Sequence, residues 1–375
     1  MRWGRLHRYN TLSGQPSEAM LLEREFADWQ GAKFCLAVAS GGQAMQIALR
    51  ASGVRPGDQV LTNRFTLAPV PGSITAVGGK PVLVEITPDL VIDLDDLAAK
   101  ARSSGARHLL LSHMRGHLCD MDQLSQLADD LRLTVIENCA HTRGARWYGK
   151  ASGAFGLAGC FSTQTYKHMN SGEGGLLNSD DADFMARATM LSGSYMLYDR
   201  HGAGPDAGNN DTIRLKTPNT SARLDNLRAA LLRPQLRDIG QNIAVWNQRH
   251  DLVAHRLATY PSVRMAKRPK AEQYVGSSLH FCLPGIAPAK AAGLVERLAD
   301  VGVELKWFGA VHPAGLTSNH HSWRYVTAQS LPRTEAILAG LFDLRLPLTF
   351  DLDDCAALAD HILDAIAAMD TQVPA

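Results

Sequence analysis

The feature that most constrains this chain is an alternation of short apolar runs with stretches that carry apolar residues at helical spacing. The runs fall at 34–39, 59–62, 81–85, 108–112, 134–137, 159–162 and 175–178, and helical patterns such as 43–50 and 121–131 separate most of them. Ser17-Glu18 opens a further amphipathic stretch with Met20, Leu21, Phe26 and Trp29, and Gly31 follows where a helix would stop. Strands that are apolar throughout, rather than on alternate residues, are strands buried on both faces. The pattern predicts an α/β fold: a mainly parallel seven-stranded sheet with helices on both faces.

Past Gly175 the pattern changes. The Gly/Pro/Asn-rich stretch 201–218 reads as a long loop, the kind that is often functional. A helical segment follows over 224–257, then an apolar run at 277–283, a helix over 288–301 and a terminal helix over 353–369. Pro288 suits the first position of its helix, where an absent N–H costs nothing. With 375 residues the chain exceeds one ordinary hydrophobic core. The expected division is a large domain at 1–245 and a smaller C-terminal α+β domain at 246–375.

Thirty-eight Lys and Arg against 37 Asp and Glu leave a net charge of +1, which provides no electrostatic footprint for nucleic acid or an anionic membrane. The apolar runs are far shorter than a membrane helix requires. Residues Met1 to Arg8 lack the apolar stretch of a secretory signal. Six cysteines are scattered without a C-x-x-C pair, as expected of small buried hydrophobes in a reducing compartment. A cytoplasmic location is therefore expected.

In open α/β sheets ligands gather at the carboxyl ends of the strands. Ala39-Ser40-Gly41-Gly42-Gln43 follows the first run and opens a helix, where free amides and the helix dipole favour a phosphate. Ile136-Glu137-Asn138 closes another strand and delivers a polar side chain, which is also what a helix N-cap does. The sharpest end is 160–175, in which Ser162 stands five residues before Lys167 and a Gly-Glu-Gly-Gly turn follows. That spacing suits a lysine reaching for an aldehyde while the serine holds a phosphate; a solvated surface lysine is the alternative.

Together these ends resemble the DegT/StrS-type family of fold-type-I pyridoxal-phosphate (PLP) enzymes, best known as sugar aminotransferases. The resemblance runs through Ser40-Gly41, Phe65-Thr66, 113–122, 137–145, the block Ser162–Gly175, Arg223 with Ala229-Ala230, Gln235-Leu236, Leu331-Pro332 and Leu346-Pro347-Leu348. It implies that Lys167 forms the Schiff base with PLP and later shuttles the substrate proton, acting as an amine available near neutral pH. By the same resemblance Ser162 and the amides of Gly42 and Gln43 are phosphate ligands, with Gln164 near that phosphate and His141 near the phenolic oxygen. Ser221 and Arg223 belong to a loop that in the family crosses to a partner's phosphate, which implies a homodimer with composite sites.

The departures bear on the chemistry. Asn138 stands where the family has an Asp facing the pyridine nitrogen, so the charge that stabilises a protonated ring is lacking. Leu67 stands at a position usually aromatic and stacked on the ring, Ser221 replaces an asparagine, and Gly42 replaces a threonine. The implied function is transfer of an amino group from an amino acid to a carbonyl of a small metabolite, a sugar or related intermediate. Elimination, cyclisation, decarboxylation or oxidation of an amino acid is the alternative that Asn138 raises, and a non-catalytic PLP-binding protein is a further one. No metal is expected, since Gly116 interrupts the helix that a His113/His117 pair would need. Arg115, Arg143, His117, Tyr195 and Arg200 are candidate substrate contacts.

Overall fold

The computed structural model describes residues 5–11, 15–206, 210–313 and 319–371. In chain order its elements are α1 (Glu18–Gln30), β1 (Phe34–Val38), α2 (Gly41–Ala51), β2 (Gln59–Asn63), α3 (Pro69–Ala76), β3 (Lys80–Val84), α4 (Leu94–Ser104), β4 (His108–Ser112), α5 (Met121–Leu131), β5 (Thr134–Asn138), β6 (Arg146–Trp147), β7 (Lys150–Ala151), β8 (Ala158–Ser162), β9 (Gly175–Ser179) and α6 (Ala182–Leu191). They continue with α7 (Asn210–Lys216), α8 (Asn226–Leu257), β10 (Arg264–Met265), β11 (Glu272–Gln273), β12 (Ser278–Cys282), α9 (Pro288–Asp300), β13 (Leu305–Trp307), α10 (Pro332–Ala339), β14 (Leu341–Arg345) and α11 (Leu352–Thr371).

The expected capping chemistry sets several helix ends. Ser17 Oγ accepts the Met20 amide at 3.1 Å and Gly31 ends α1 at φ 73°. Asp93, Asp120 and Asp181 cap α4, α5 and α6 through their side chains.

The large sheet has the order β1-β9-β8-β5-β4-β2-β3. Five neighbouring strands are parallel, while β9 runs antiparallel to β8 and β1. Alternation along each strand divides its side chains between two cores. Cys35, Ala37, Leu109 and Leu111 join Phe26, Leu97, Leu124, Leu232 and Leu236 on one face. Leu36, Val38 and Leu110 join Ile47, Leu49, Ile74 and Phe184 on the other. Buried on both sides, the strands could not show an apolar/polar alternation in the sequence.

A second, four-stranded antiparallel sheet has the order β10-β12-β14-β13, and its core unites Phe281 and Phe342 with Leu294 of α9 and Ile362 of α11. Helix α8 serves both units: Leu232, Leu236 and Trp246 pack in the first core, and Val253 and Leu257 in this one.

One expectation needs correction. The stretch 201–218 is not all loop, because α7 occupies Asn210–Lys216, and Ile213 packs there against the cluster of Ala186, Met190 and Tyr198. The glycines and prolines before it masked a short helix held by tertiary contact; residues 207–209 of that stretch lie outside the described residues. Among the described residues no helix is long and apolar enough to cross a membrane.

Candidate active site

The carboxyl ends of β1, β5 and β8 lie side by side because close backbone approach holds them there. A Cβ added at Gly41 would lie 2.9 Å from Ser162 Cβ, and one at Gly175 would fall onto the Ser40 carbonyl, so glycine at both positions lets the start of α2 touch the end of β8. Ser40 Oγ accepts the Gln43 amide at 3.1 Å, which commits that N–H to the cap, whereas the Gly42 amide precedes the first intrahelical carbonyl. Ser162 Oγ accepts the Gln164 amide at 3.3 Å, and Gln164 Oε1 accepts the Tyr166 amide at 3.0 Å.

The segment after Ser162 is a pinned loop. The Thr163 amide donates to Gly174 at 2.9 Å and Thr165 to Gly172 at 3.0 Å, with Gly172 and Gly174 at φ 79° and 152°. Gln235 on α8 accepts the Asn170 amide and donates to the Asn170 carbonyl, both at 2.8 Å. Met169 is fully buried and His168 Nε2 lies 2.7 Å from Ser277 Oγ. Lys167 is thus presented by anchored neighbours, and its Nζ lies 2.8 Å from His141 Nε2.

Burial first, and then repulsion from Arg115, Arg345 and Arg143, lowers the Lys167 pKa to about 7, with Asp343 opposing. Burial and the nearby Lys167 push His141 well below the usual imidazole range. A neutral amine donating to a neutral imidazole accounts for two basic nitrogens in contact. Near neutral pH this lysine has a nucleophilic fraction that an exposed lysine lacks.

At the end of β5, Asn138 Nδ2 donates to Ser112 Oγ at 3.3 Å and Oδ1 accepts the Ala140 amide at 3.3 Å. The N-cap alternative fails here, because Asn138 closes a local turn and no helix starts after it. Thr66 Oγ1 donates to the same Ser112 hydroxyl at 2.8 Å, and Leu67 packs partly buried against the Phe65, Met114 and Phe308 cluster. His113, Glu137 and Cys139 lie close together, but Glu137 already takes the amides of Gly153, Phe155 and Gly156 and sits 2.9 Å from His113 Nε2. His117 does not join His113; its Nε2 lies 3.1 Å from His280 Nδ1.

A cleft of about 720 Å³ opens between Lys167 and the small sheet, lined by Arg115, His141, Tyr166, Trp246 and Arg345 among others. Of the residues expected from sequence, Lys167, His141 and the candidate substrate contact Arg115 line it. Gly42 and Gln43 lie in the first turn of α2, Asn138 and Ser162 end β5 and β8, and Gln164 lies on the Lys167 loop.

Ser221 and Arg223 stand apart at the sheet edge. Arg223 is bridged to Val38 and donates to the Gly193 carbonyl and to Ser221 Oγ. Arg143 is buried between Phe26 and Phe161, each ring centre 5.8 Å away, and donates to the Ser162 carbonyl, which is a packing role. Arg200 is spent on the Tyr9 carbonyl, and Tyr195 is exposed beside Arg223.

Sequence reasoning missed Asp343, His280 and Arg345. Asp343 lies 2.7 Å from Arg115 Nη2 and 3.0 Å from His280 Nε2. Burial would raise its pKa, but Arg115 and then His280 hold it at about 2. An aspartate in the middle of the apolar run 341–346 was the available signal.

Comparison with known proteins shows the family. The model of the DegT/DnrJ/EryC1/StrS aminotransferase family matches residues 8–365. The chain is 29% identical to 3-amino-5-hydroxybenzoate synthase of Amycolatopsis mediterranei over 76% of its own length and 72% of that protein's. It is 33% identical to L-glutamine:scyllo-inosose aminotransferase of Streptomyces griseus over 61% of its length and 54% of that protein's. The crystal structure of a 3-amino-5-hydroxybenzoic acid synthase superposes with a TM-score of 0.82 at 26% identity, covering 94% of this chain and 91% of that one. This chain therefore belongs to the DegT/DnrJ/EryC1/StrS aminotransferase family and is a PLP-dependent enzyme of fold type I.

Proposed function

We propose that this enzyme moves an amino group from an amino acid to a carbonyl of a sugar or related biosynthetic intermediate, with Lys167 as the residue that engages PLP. The observation that carries the reading is the half-buried Lys167 amine, titrating near pH 7 and held 2.8 Å from His141. The residues suit the cofactor: the glycine cradle at Gly41 leaves room at Ser162, where a phosphate would meet the serine hydroxyl and the first-turn amides of Gly42 and Gln43, the latter shared with Ser40. Gln164 would lie near that phosphate, Asn138 would face the pyridine nitrogen, Leu67 would cover the ring and His141 would lie by the phenolic oxygen.

When bound, PLP supplies an aldehyde that takes up the amino group and a ring that draws electrons from the substrate's α-carbon. Lys167 Nζ would serve as the general base that takes up and holds the proton of the substrate's α-carbon, since its pKa lies near the working pH. His141 Nε2 accepts a hydrogen bond from that amine and keeps it oriented between transfers. Asn138 holds the strand end by hydrogen bonds but contributes no negative charge.

Exposed Tyr195, Met196, Leu227 and Leu231 support a homodimer in which Ser221 and Arg223 serve the partner's phosphate. We divide the chain at 245, inside α8, into a cofactor domain and a small C-terminal domain. The six free, buried cysteines support a reducing, cytoplasmic setting.

Purified protein should be yellow, and borohydride reduction followed by peptide mass mapping should leave the cofactor's mass on Lys167. Label on another lysine would sink the assignment, and sedimentation of the same sample as a fully active monomer would remove the composite site.

A further inference from the structure

The loop after β4 is fastened to the C-terminal part of the chain through ionisable groups that the amino-transfer chemistry does not touch. Arg268 Nη1 donates to the Gly116 carbonyl at 3.0 Å and to Glu272 Oε1 at 2.9 Å, and the same Glu272 oxygen accepts the Leu118 amide at 3.1 Å. Between these anchors Arg115 stands at φ 56°, a left-handed conformation that disfavours any residue with a Cβ. It is 4% exposed, and its Nη2 lies 2.7 Å from Asp343 Oδ2.

Behind Asp343 the contacts continue. His280 Nε2 lies 3.0 Å from Asp343 Oδ1, and His280 Nδ1 lies 3.1 Å from His117 Nε2. Burial keeps His117 neutral, with Arg268 and His280 adding to it, and burial does the same for His280 against the pull of Asp343. One arrangement of protons then serves both neutral rings: His117 Nε2 donates to His280 Nδ1, so His280 carries its own proton on Nε2, the nitrogen beside the carboxylate. The rings hold Asp343 in place without neutralising it, and its counter-charge is Arg115.

Arg115 lines the same cleft as Lys167. The charged and titratable groups around the lysine are Arg115 from this loop, His141 and Arg143 from the loop after β5, the adjacent His168, and Asp343 and Arg345 from β14. After burial, Arg115 is the largest cause of the amine's low pKa, and Asp343 opposes it. We infer that Asp343, steadied by His280 and His117, is a positioning residue that holds the Arg115 guanidinium at the cleft wall, where its charge keeps the Lys167 amine ready for PLP; this deepens the aminotransferase reading and rests on it. The two roles open to Asp343 have opposite signs. Removing a mere anion near the amine would lower the lysine's pKa further. Removing the group that holds Arg115 leaves a strained, buried guanidinium without its counter-charge, which is driven toward water, and the lysine's pKa rises instead.

The test is the pH profile of Lys167 acylation by acetic anhydride in the full chain freed of PLP, read by peptide mass mapping against the exposed lysines. The wild type should inflect near pH 7. Arg115→Met should raise the inflection by about one unit, which cuts labelling at pH 7 about fivefold. Asp343→Asn should move it the same way. His280→Leu should do so in part, and His280→Gln, which keeps a donor, should restore the wild-type profile.

Arg115→Met/Asp343→Leu exchanges the buried pair for apolar side chains and covers the case in which Asp343→Asn does not fold. Its inflection should lie above the wild type's and match that of Arg115→Met, because Asp343 acts through Arg115. A downward shift in Asp343→Asn, a double variant inflecting below Arg115→Met, or no shift in any variant overturns the inference. The labelling needs no cofactor, so failure of borohydride to fix PLP on Lys167 would remove the aminotransferase reading and leave the positioning of Arg115 to be decided by the acylation profile.

Discussion

At the sheet end of the site, Gly41 approaches Ser162 so closely that a single added carbon would lie 2.9 Å from the serine's Cβ. On the small-sheet side, Asp343 instead pairs with the Arg115 charge at 2.7 Å and meets the His280 imidazole, which burial favours in its neutral form, at 3.0 Å. The first wall is made of main chain and is sensitive to added volume. The second is made of buried ionisable groups and is sensitive to charge and pH. Lys167 lies between them, with its loop anchored to α8 by Gln235 and its amine's pKa lowered first by burial and then by Arg115 and Arg345. The sheet wall suits a ligand of constant shape, and the charged wall is where a substrate's own charge would be recognised.

The largest expected effect is on the charged wall. Asp343→Asn leaves Arg115 buried without its counter-charge and should destabilise the protein by about 3–5 kcal/mol, read by denaturant unfolding. The acid response provides a second reading. Because the folded-state pKa of about 2 lies below that of an unfolded aspartate, the stabilisation is present above about pH 4 and is lost as pH falls toward 2. The variant should lack that component, and an unchanged acid transition would mean that the pair does not contribute.

Next in size is the sheet wall. Gly175→Ala sets a methyl onto the Ser40 carbonyl, where neither backbone can retreat cheaply, and should cost about 1–3 kcal/mol. Its cofactor affinity should fall while its acid transition stays that of the wild type. An alanine accepted without loss would show that the wall is looser than the close approach of Ser40 and Gly175 implies.

The smallest change in stability belongs to Asn138→Asp, since the amide's contact with Ser112 is long at 3.3 Å; a shift under about 1 kcal/mol is expected. Its chemical consequence is larger, because a carboxylate facing the pyridine nitrogen would stabilise the protonated ring. Cofactor absorbance and single-turnover products with the best donor should both change. A new balance between transamination and another outcome would separate the two chemistries that an asparagine leaves open. Identical spectra and rates would show that Asn138 does not face the ring.

The sequence by itself determined the architecture of the large sheet and placed Lys167 on the loop that follows its strand β8. Strands buried on both faces must be apolar throughout, and a serine or aspartate before an amphipathic stretch caps it by accepting the free amides of its first turn, so the seven strands, their helices and the Lys167 loop were legible from neighbours a few residues apart. Helix α7 was not, because its hold is the packing of Ile213 on Met190 and Tyr198 rather than a local pattern. The electrostatics of the cleft were also hidden. Arg115 and Asp343 are more than two hundred residues apart in sequence, and only the docking of the small sheet against the end of the large one brings them to 2.7 Å. The same docking leaves Arg345 over Tyr166 without a carboxylate beside it and buries Arg143, equally basic in the sequence, between two phenylalanines. A charge has its consequence through what lies within a few ångströms of it in space, so tertiary packing decided which arginine is structural, which is neutralised and which has no carboxylate beside it among the described residues.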